Sequence, residues 1–556
     1  MSSPPISPTA DSSTLPRHRF IIVVPVADRP RHIAACLDSL RQLGERYPYP
    51  HETTVLIADD SADPAQVAAH RSIAENFSAP GLKVVHFGPE EQWPLIEPLR
   101  AALPQVIGTA TPERFGHKGQ GVMRNIAYLK VAELLRQSGR EDEPKVNKST
   151  GNALDGTPGD PLAGPLANAH HNTLIWSLDS DQEFCVKVAT PAGDREVYAI
   201  DFLRDLDTIF SRTDALVLTG KVVGDPPVSP AVMTGNFLAD VAGFLQTMAA
   251  RDPHAPCAHH DGAAARSGEA AYHDMAELFG FAHAGEACDY PCPLTGSHDE
   301  ASCFAHFAAR LHSFFYGEHP TRVSYYEASE LFATVKPART VYAGNYVFRP
   351  AALRYFIPFA QLRLRMSGPT LGRLMRAELG PRFVSANLPM LHKRTVESGG
   401  QSEFRPGIET QQEQIDMSGE FERQFYGDVM LFSIERLSAG GHLDIAAAGE
   451  TLDALRAELL EKYNARQRAI LDATRAIRAR LDAPARWWNR AQQHGPAVAA
   501  FTHFLDNIER NFDASSSGHA RINSPAGWAH WRTALLDAVE ALPADRTRWK
   551  QALGFM

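Results

Sequence analysis

Short apolar runs alternate with helical patterns near the start of the chain, and this alternation most restricts the possible fold. Residues 20–26 (FIIVVPV) are typical of a strand buried on both faces. Apolar residues then recur at helical spacing, at Ile33, Leu37, Leu40 and Leu43. Further strand-like runs follow at 54–58 (TVLIA) and 83–87 (KVVHF). The alternation predicts βαβ units, and therefore an α/β, Rossmann-like, mostly parallel sheet flanked by helices.

Acidic residues follow the predicted strands. The second strand runs into Asp59 and Asp60, and a later run, 173–178 (TLIWSL), is followed by Asp179-Ser180-Asp181. Ligands of parallel sheets bind at the carboxyl ends of the strands. Carboxylate oxygens suit Mn²⁺ or Mg²⁺, which can stabilise charge on a leaving diphosphate. We therefore expect Asp179 and Asp181 to bind a divalent cation, the alternative being two solvated acids at a strand end.

A glycine-rich segment precedes another predicted helix. Gly119 and Gly121 are followed by Arg124, so a flexible backbone and a cation lie together at a helix start. Exposed N–H groups and the positive end of a helix suit a diphosphate. Asp59 and Asp60 could accept hydrogen bonds from a nucleobase and ribose, although turn formation and helix capping explain them equally simply.

Length and composition predict several domains. At 556 residues the chain is too long for one hydrophobic core. We expect a disordered leader at 1–19, a catalytic α/β domain at 20–405 with loop insertions near 138–170 and 251–310, and a C-terminal helical region at 406–556. The net charge of -10 argues against a nucleic-acid partner. With no apolar run of the ~20 residues that span a bilayer, a cytoplasmic location is expected.

The second insertion is rich in cysteine and histidine. It contains Cys257, His259, His260, Cys288, Cys292, His298 and Cys303. These residue types bind structural Zn²⁺. However, one Cys-x3-Cys pair with otherwise irregular gaps matches no usual zinc ribbon, and the spacing favours free thiols.

Four segments resemble family 2-like GT-A glycosyltransferases in sequence and order. They are VVPVADRP at 23–30, IADDS at 57–61, GQGVMRNIA at 119–127 and LDSDQEF at 178–184. The resemblance covers about residues 20–400. It implies metal-dependent transfer of a sugar from a nucleotide-sugar donor, a UDP- or GDP-sugar, to an acceptor that the sequence does not identify.

The same resemblance implies roles for individual residues. Pro25, Arg29 and Asp60 (or Asp59) would lie near the nucleotide, and Arg124 near the diphosphate. Asp179 and Asp181 would form the metal motif, with a late histidine, His392, completing the metal shell. The Gly344-Asn345 turn would line the sugar and acceptor side.

One departure from the family concerns the catalytic base. Inverting relatives place a Glu-Asp pair where this chain reads RMSGPTLG at 365–372, a stretch without a carboxylate. Asp225, Asp299 and Glu378 are possible substitutes, but the missing pair favours retention of configuration.

Two other functions remain open from the sequence. One is an NDP-sugar-forming nucleotidyltransferase, although no glycine-rich triphosphate loop follows the first strand. The other is an inactive GT-A-like binding protein. The C-terminal helices could support a homo-oligomer, whereas the tail lacks the continuous basic face that a membrane surface would attract.

Overall fold

The computed structural model describes residues 15–141, 170–190, 193–259, 290–394, 408–411 and 414–554. The strands are β1 Arg19–Val26, β2 Thr53–Asp59, β3 Leu82–Phe87, β4 Thr173–Leu178, β5 Gln182–Glu183, β6 Val186–Thr190, β7 Gly193–Val197, β8 Val217–Gly224, β9 Lys336–Pro337, β10 Asn345–Phe348, β11 Phe383–His392, β12 Glu409–Gln411 and β13 Gln414–Asp416. The α-helices are α1 Pro30–Arg46, α2 Pro64–Phe77, α3 Pro89–Ile96, α4 Pro104–Ile107, α5 Gln120–Glu141, α6 Phe202–Arg212, α7 Pro230–Ala249, α8 Glu300–Arg310, α9 Ser367–Leu379, α10 Ser418–Leu437, α11 Ala448–Leu481, α12 Gly495–Phe512, α13 Ser517–Asn523 and α14 Pro525–Ala552.

The main sheet is mixed, with the strand order β3-β2-β1-β4-β10-β8-β11-β5 and with β9 beside β11. Strands β1, β2, β3 and β4 run parallel, and β8 is parallel to β11. Strand β10 is antiparallel to both β4 and β8, so these two neighbours point the same way. The carboxyl ends of β1, β2, β4, β8 and β11 consequently lie at one edge of the sheet.

The first βα unit shows why the sequence pattern predicts the fold. Every residue of β1 after Arg19 is buried, as expected for a strand covered on both faces. Helix α1 begins at Pro30, whose fixed φ suits the first helical turn. Its buried stripe includes Ile33 and Leu37, and each such side chain contributes roughly 1.5–3 kcal/mol through burial.

The core continues from the sheet into the predicted helical region 406–556. One buried cluster includes Leu56 of β2, Phe237 of α7, Leu452 of α11 and Leu535 of α14. Trp549 also donates from Nε1 to the carbonyl of Leu353 at 2.8 Å. The C-terminal helices therefore pack directly on the α/β part.

Parts of the predicted leader and insertions lie outside the described residues, namely 1–14, 142–169 and 260–289. The end of the leader contacts the α/β part, because Arg17 and His18 both donate backbone N–H groups to Asp207. Within the described residues, no helix has the length and apolar character needed to cross a bilayer.

Candidate functional site

A cavity of about 500 Å³ opens at the shared carboxyl edge of the strands. Most of the residues predicted as a site line it, namely Pro25, Arg29, Asp60, Gly119, Gly121, Arg124, Asp179, Asp181, Gly344 and His392. The parallel strands explain this convergence, because residues that follow different strands reach the same edge.

Asp181 lies close to two arginines and a histidine. Its Oδ2 is 3.5 Å from Nη1 of Arg29 and 3.5 Å from Nη1 of Arg394, while its Oδ1 lies 3.6 Å from Nε2 of His392. Burial alone would raise the pKa of Asp181, but His392, Arg394 and Arg29 hold it well below its usual value. Asp181 is therefore ionised throughout the physiological pH range.

His392 is oriented by its other ring nitrogen. Nδ1 is 2.6 Å from the carbonyl oxygen of Asp225, which can only accept a hydrogen bond. In the neutral ring, the proton therefore sits on Nδ1 and the lone pair of Nε2 faces Asp181. Metal-binding histidines are commonly fixed in this way.

The Oδ1 atom of Asp181 is buried and has no hydrogen-bond partner among the described residues. Leaving a buried carboxylate oxygen unpaired costs free energy. A divalent cation between Asp181 and His392 would satisfy both this oxygen and Nε2, although the ligand atoms of Asp179, Asp181 and His392 do not all lie within 4.8 Å of one another.

Asp179 is held by Arg124 and by its fit against Gly344. The buried guanidinium of Arg124 donates to Asp179, to Ser177 Oγ at 3.1 Å and to the carbonyl of Leu178 at 3.3 Å. A Cβ on Gly344 would clash with Asp179 Oδ2, so this carboxylate would have to shift if residue 344 carried a side chain. In this arrangement Arg124 positions Asp179 and also lines the cavity.

Asp60 shapes the glycine-rich loop. Its carboxylate accepts the backbone N–H groups of Lys118 at 3.0 Å and Gly119 at 2.9 Å. The buried Nζ of Lys118 is also 2.8 Å from Asp60 Oδ1. Gly119 has φ of +98°, a conformation that favours glycine. Asp60 thus fixes the loop that leads into α5.

Two predicted site residues, Asp59 and Asn345, are not among those that line the cavity. Asp59 Oδ2 is 3.0 Å from His70 Nδ1 and 2.9 Å from His86 Nε2. Burial would raise the pKa of Asp59, but these histidine contacts hold it below its usual value. Asp59 therefore links β2 to α2 and β3.

Asn345 joins neighbouring strands. Its Oδ1 accepts from Trp176 Nε1 at 2.9 Å, and its Nδ2 donates to the carbonyls of Lys221 at 2.8 Å and Leu388 at 3.1 Å. All its polar atoms are used inside the sheet, so the contacts are those of a structural residue.

Several charged residues that the sequence interpretation missed also line the cavity. Arg363 and Arg365 precede α9, Arg394 follows β11, and Glu420 and Arg423 belong to α10. Glu420 accepts from Arg365 Nε at 3.0 Å and from Arg423 Nη1 at 3.2 Å. Burial alone would raise the pKa of Glu420, but these arginines hold it below its usual value. The resulting excess of arginines over carboxylates suits an anionic ligand.

Backbone strain is concentrated around the cavity. Non-glycine residues with positive φ, among those described, are Asp28, His117, Phe359, Arg363 and Met366. The first two hydrogen-bond to each other, and the other three belong to the segment before α9. Such conformations cost free energy and cluster at functional sites.

The suggested substitutes for a catalytic base are not among the residues that line this cavity. Asp225 accepts the backbone N–H of Arg394 at 2.9 Å, and burial raises its pKa. Asp299 caps α8, and Glu378 pairs with Arg546 of α14. Glu420 does line the cavity, but its carboxylate accepts hydrogen bonds from two arginines.

Comparison with known proteins adds no family, because no protein-family model matches the chain and no curated protein matches it.

Proposed function

We propose that the protein is a metal-dependent glycosyltransferase of the GT-A type, which transfers a sugar from a UDP- or GDP-sugar to an acceptor. The observation that carries the proposal is the pair of Asp181 and His392, in which a buried carboxylate oxygen without a hydrogen-bond partner faces an oriented imidazole nitrogen. The mixed α/β sheet and its shared carboxyl edge are compatible with a nucleotide-binding fold of this type.

Asp181 and His392 would hold the cation, with Asp179 as a further ligand once its contact with Arg124 adjusts. Bound Mn²⁺ or Mg²⁺ would supply charge stabilisation for the departing nucleoside diphosphate. Structural Zn²⁺ is not expected at this cavity site, because most of the ligand atoms are carboxylate oxygens.

The arginines of the cavity would bind the donor's phosphates. Arg29 and Arg394 flank Asp181 at 3.5 Å, and both residues line the cavity. Guanidinium groups suit phosphate oxygens because they offer paired donors in one plane. The N–H groups at the start of α5, held in position by Asp60, would add favourable interactions with the same anion.

We favour the retaining mechanism because it does not require a protein carboxylate as the base that deprotonates the acceptor. Glu420 is paired with Arg365 and Arg423 and is a poor proton acceptor in that state. In the retaining mechanism, the bond from sugar to phosphate oxygen breaks while the acceptor oxygen bonds to the same face of the anomeric carbon. The acceptor's proton passes to the departing phosphate oxygen.

The test is to incubate the protein with UDP- and GDP-sugars and Mn²⁺ and to measure released nucleoside diphosphate. We expect metal-dependent release of UDP or GDP. Exchange of labelled pyrophosphate into the nucleotide sugar would instead identify a nucleotidyltransferase. Absence of both reactions and of nucleotide binding would identify an inactive protein with this fold.

A further inference from the structure

A second group of metal-ligating side chains lies outside the cavity. The ligand atoms of Cys257, Cys292, His298 and Cys303 all lie within 4.8 Å of one another. Cys303 Sγ is 3.0 Å from Cys257 Sγ and 3.4 Å from Cys292 Sγ, and Cys292 Sγ is 3.3 Å from His298 Nε2. In tetrahedral zinc, bond lengths of about 2.3 Å to sulfur and about 2.0 Å to nitrogen place neighbouring ligands about 3.5–3.8 Å apart. The four ligand atoms would need to move apart only slightly to coordinate one Zn²⁺ ion.

The imidazole of His298 has the orientation of a zinc ligand. Its Nδ1 is 2.8 Å from the carbonyl oxygen of Gly296. Because a carbonyl only accepts, the proton of the neutral ring lies on Nδ1, and Nε2 directs its lone pair toward Cys292. Zinc-binding histidines are typically fixed by such a bond from the second nitrogen.

Backbone N–H groups point at two of the sulfurs. The N–H of His259 lies 3.4 Å from Cys257 Sγ, and that of Leu294 hydrogen-bonds to the Cys292 thiol. In each case the donor is two residues after the cysteine. Both N–H groups are placed to donate hydrogen bonds to sulfur, as the outer contacts of a metal ligand do.

The backbone holds the cysteines together although they are far apart in sequence. The N–H of Cys257 donates to the carbonyl of His298 at 3.0 Å, and Pro256 forms a bridge with Asp299. Asp299 caps α8, whose first turn carries Cys303. The three segments that supply the sulfurs and the nitrogen are therefore already aligned.

We propose that Cys257, Cys292, Cys303 and His298 bind one structural Zn²⁺. A disulfide between Cys303 and either neighbour would leave the third thiol and the oriented imidazole unexplained, whereas zinc uses all four groups. Closed Cys₃His sites without an open position are structural.

The ion would secure the start of α8 against the rest of the protein. The ring of Phe304 in α8 stacks on Trp488 with centroids 5.2 Å apart and contacts Phe501 of α12 at 5.1 Å. Phe307 contacts Phe244 of α7 at 4.3 Å. Zinc at Cys303 would thereby stabilise the contact between the insertion and the C-terminal helices.

The experiment measures zinc in the full-length protein, purified without chelator, by mass spectrometry of the elements. We expect about one Zn²⁺ per chain, and loss of that zinc in Cys303→Ser and His298→Ala. The controls are His254→Ala, an exposed histidine near Cys257, and Asp181→Asn in the cavity. Both controls should retain zinc.

A second measurement covers the possibility that a cysteine variant fails to fold. Wild-type protein exchanged with Co²⁺ should show thiolate-to-cobalt charge transfer and the intense visible bands of a tetrahedral site. Zinc removal by a strong chelator should lower the melting temperature. Three results would overturn the proposal: zinc-free wild type with freely alkylated thiols, a disulfide within the cluster, or zinc retained by both ligand variants.

Discussion

Nε2 of His392 lies 3.6 Å from Oδ1 of Asp181, and both side chains are almost fully buried. Asp181 follows β4, whereas His392 ends β11, on the other side of β10 and β8 in the sheet. Their contact depends on the shared direction of these strands. It places a histidine ring fixed by the carbonyl of Asp225 beside an ionised carboxylate at the wall of the cavity.

If the proposed function is right, replacing Asp181 by Asn should lower transfer activity about 10²-fold or more, because the variant loses the charge that would hold the cation. The amide is the same size, so the cavity should keep its shape. Asp38→Asn, on the exposed face of α1, is the matched control and should leave activity unchanged. Near-normal turnover in Asp181→Asn, measured as released nucleoside diphosphate, would remove Asp181 from the mechanism.

Gly344→Ala should weaken metal-dependent nucleotide binding, since its Cβ would occupy space now filled by Asp179 Oδ2. We expect at least a tenfold loss of affinity, roughly 1.4 kcal/mol, in a calorimetric titration. Gly44→Ala in α1 is the control because nothing lies within 4 Å of its added Cβ. That variant should bind normally and gain about 0.5–1 kcal/mol of stability. Equal binding by the two variants would contradict the packing argument.

Asp60→Ala should destabilise the protein by about 3–5 kcal/mol, because it leaves the buried ammonium of Lys118 without its carboxylate. Asp63→Ala, which removes the exposed cap of α2, should cost only about 1 kcal/mol. Chemical denaturation of both variants measures the difference. A cost for Asp60→Ala no larger than that of Asp63→Ala would show that the loop is held by other contacts.

A buried aspartate in the helical region predicts a pH dependence of stability. Burial raises the pKa of Asp428 in α10 to about 7, in spite of hydrogen bonds from Tyr463 and Gln424 that lower it. Between about pH 4 and pH 7 the unfolded chain releases this proton while the folded protein keeps it. The free energy of unfolding should therefore fall as pH rises, by up to about 1.4 kcal/mol per pH unit.

Asp428→Asn should remove that contribution. Melting curves of both proteins from pH 5 to pH 8 should converge at low pH and separate toward neutrality, with the variant relatively more stable at high pH. Asp472→Asn, an exposed site on α11, controls for loss of surface charge. Curves for Asp428→Asn and wild type that stay equally far apart at every pH would contradict the raised pKa.

Much of the α/β part was predictable from sequence because local patterns and tertiary packing agree there. Strand 173–178 was predicted with the bounds that the structure gives, and β1 differs by one residue. Asp179 and Asp181 were singled out because they follow a buried strand at the edge where ligands of parallel sheets bind. The proximity of His392 to Asp181 was expected only from the family resemblance.

The sequence could not separate Asp59 from Asp60. Successive side chains at the end of a strand point to opposite faces. Asp59 turns toward His70 and His86, while Asp60 turns toward the glycine-rich loop. Whether the glycine-rich loop lies on the side of Asp59 or on the side of Asp60 depends on packing between distant segments. No local sequence pattern indicates it.

The cavity residues that the helical region supplies could not be predicted from the sequence for a similar reason. Glu420 and Arg423 lie on α10, a helix buried on most of its surface, so its sequence lacks a clear polar face. The proposed zinc site could not be predicted from the sequence for the same reason. The irregular spacing of Cys257, Cys292 and Cys303 matches no usual zinc ribbon, and only the folded backbone brings the three sulfurs together.

Calorimetry with UDP or GDP, with and without Mn²⁺, tests the central claim most directly. The account predicts that the wild-type protein binds one of these nucleotides in a Mn²⁺-dependent manner and that Asp181→Asn loses this dependence. Binding that is equally tight without metal, or unchanged in Asp181→Asn, would contradict a cation held between Asp181, His392 and the diphosphate.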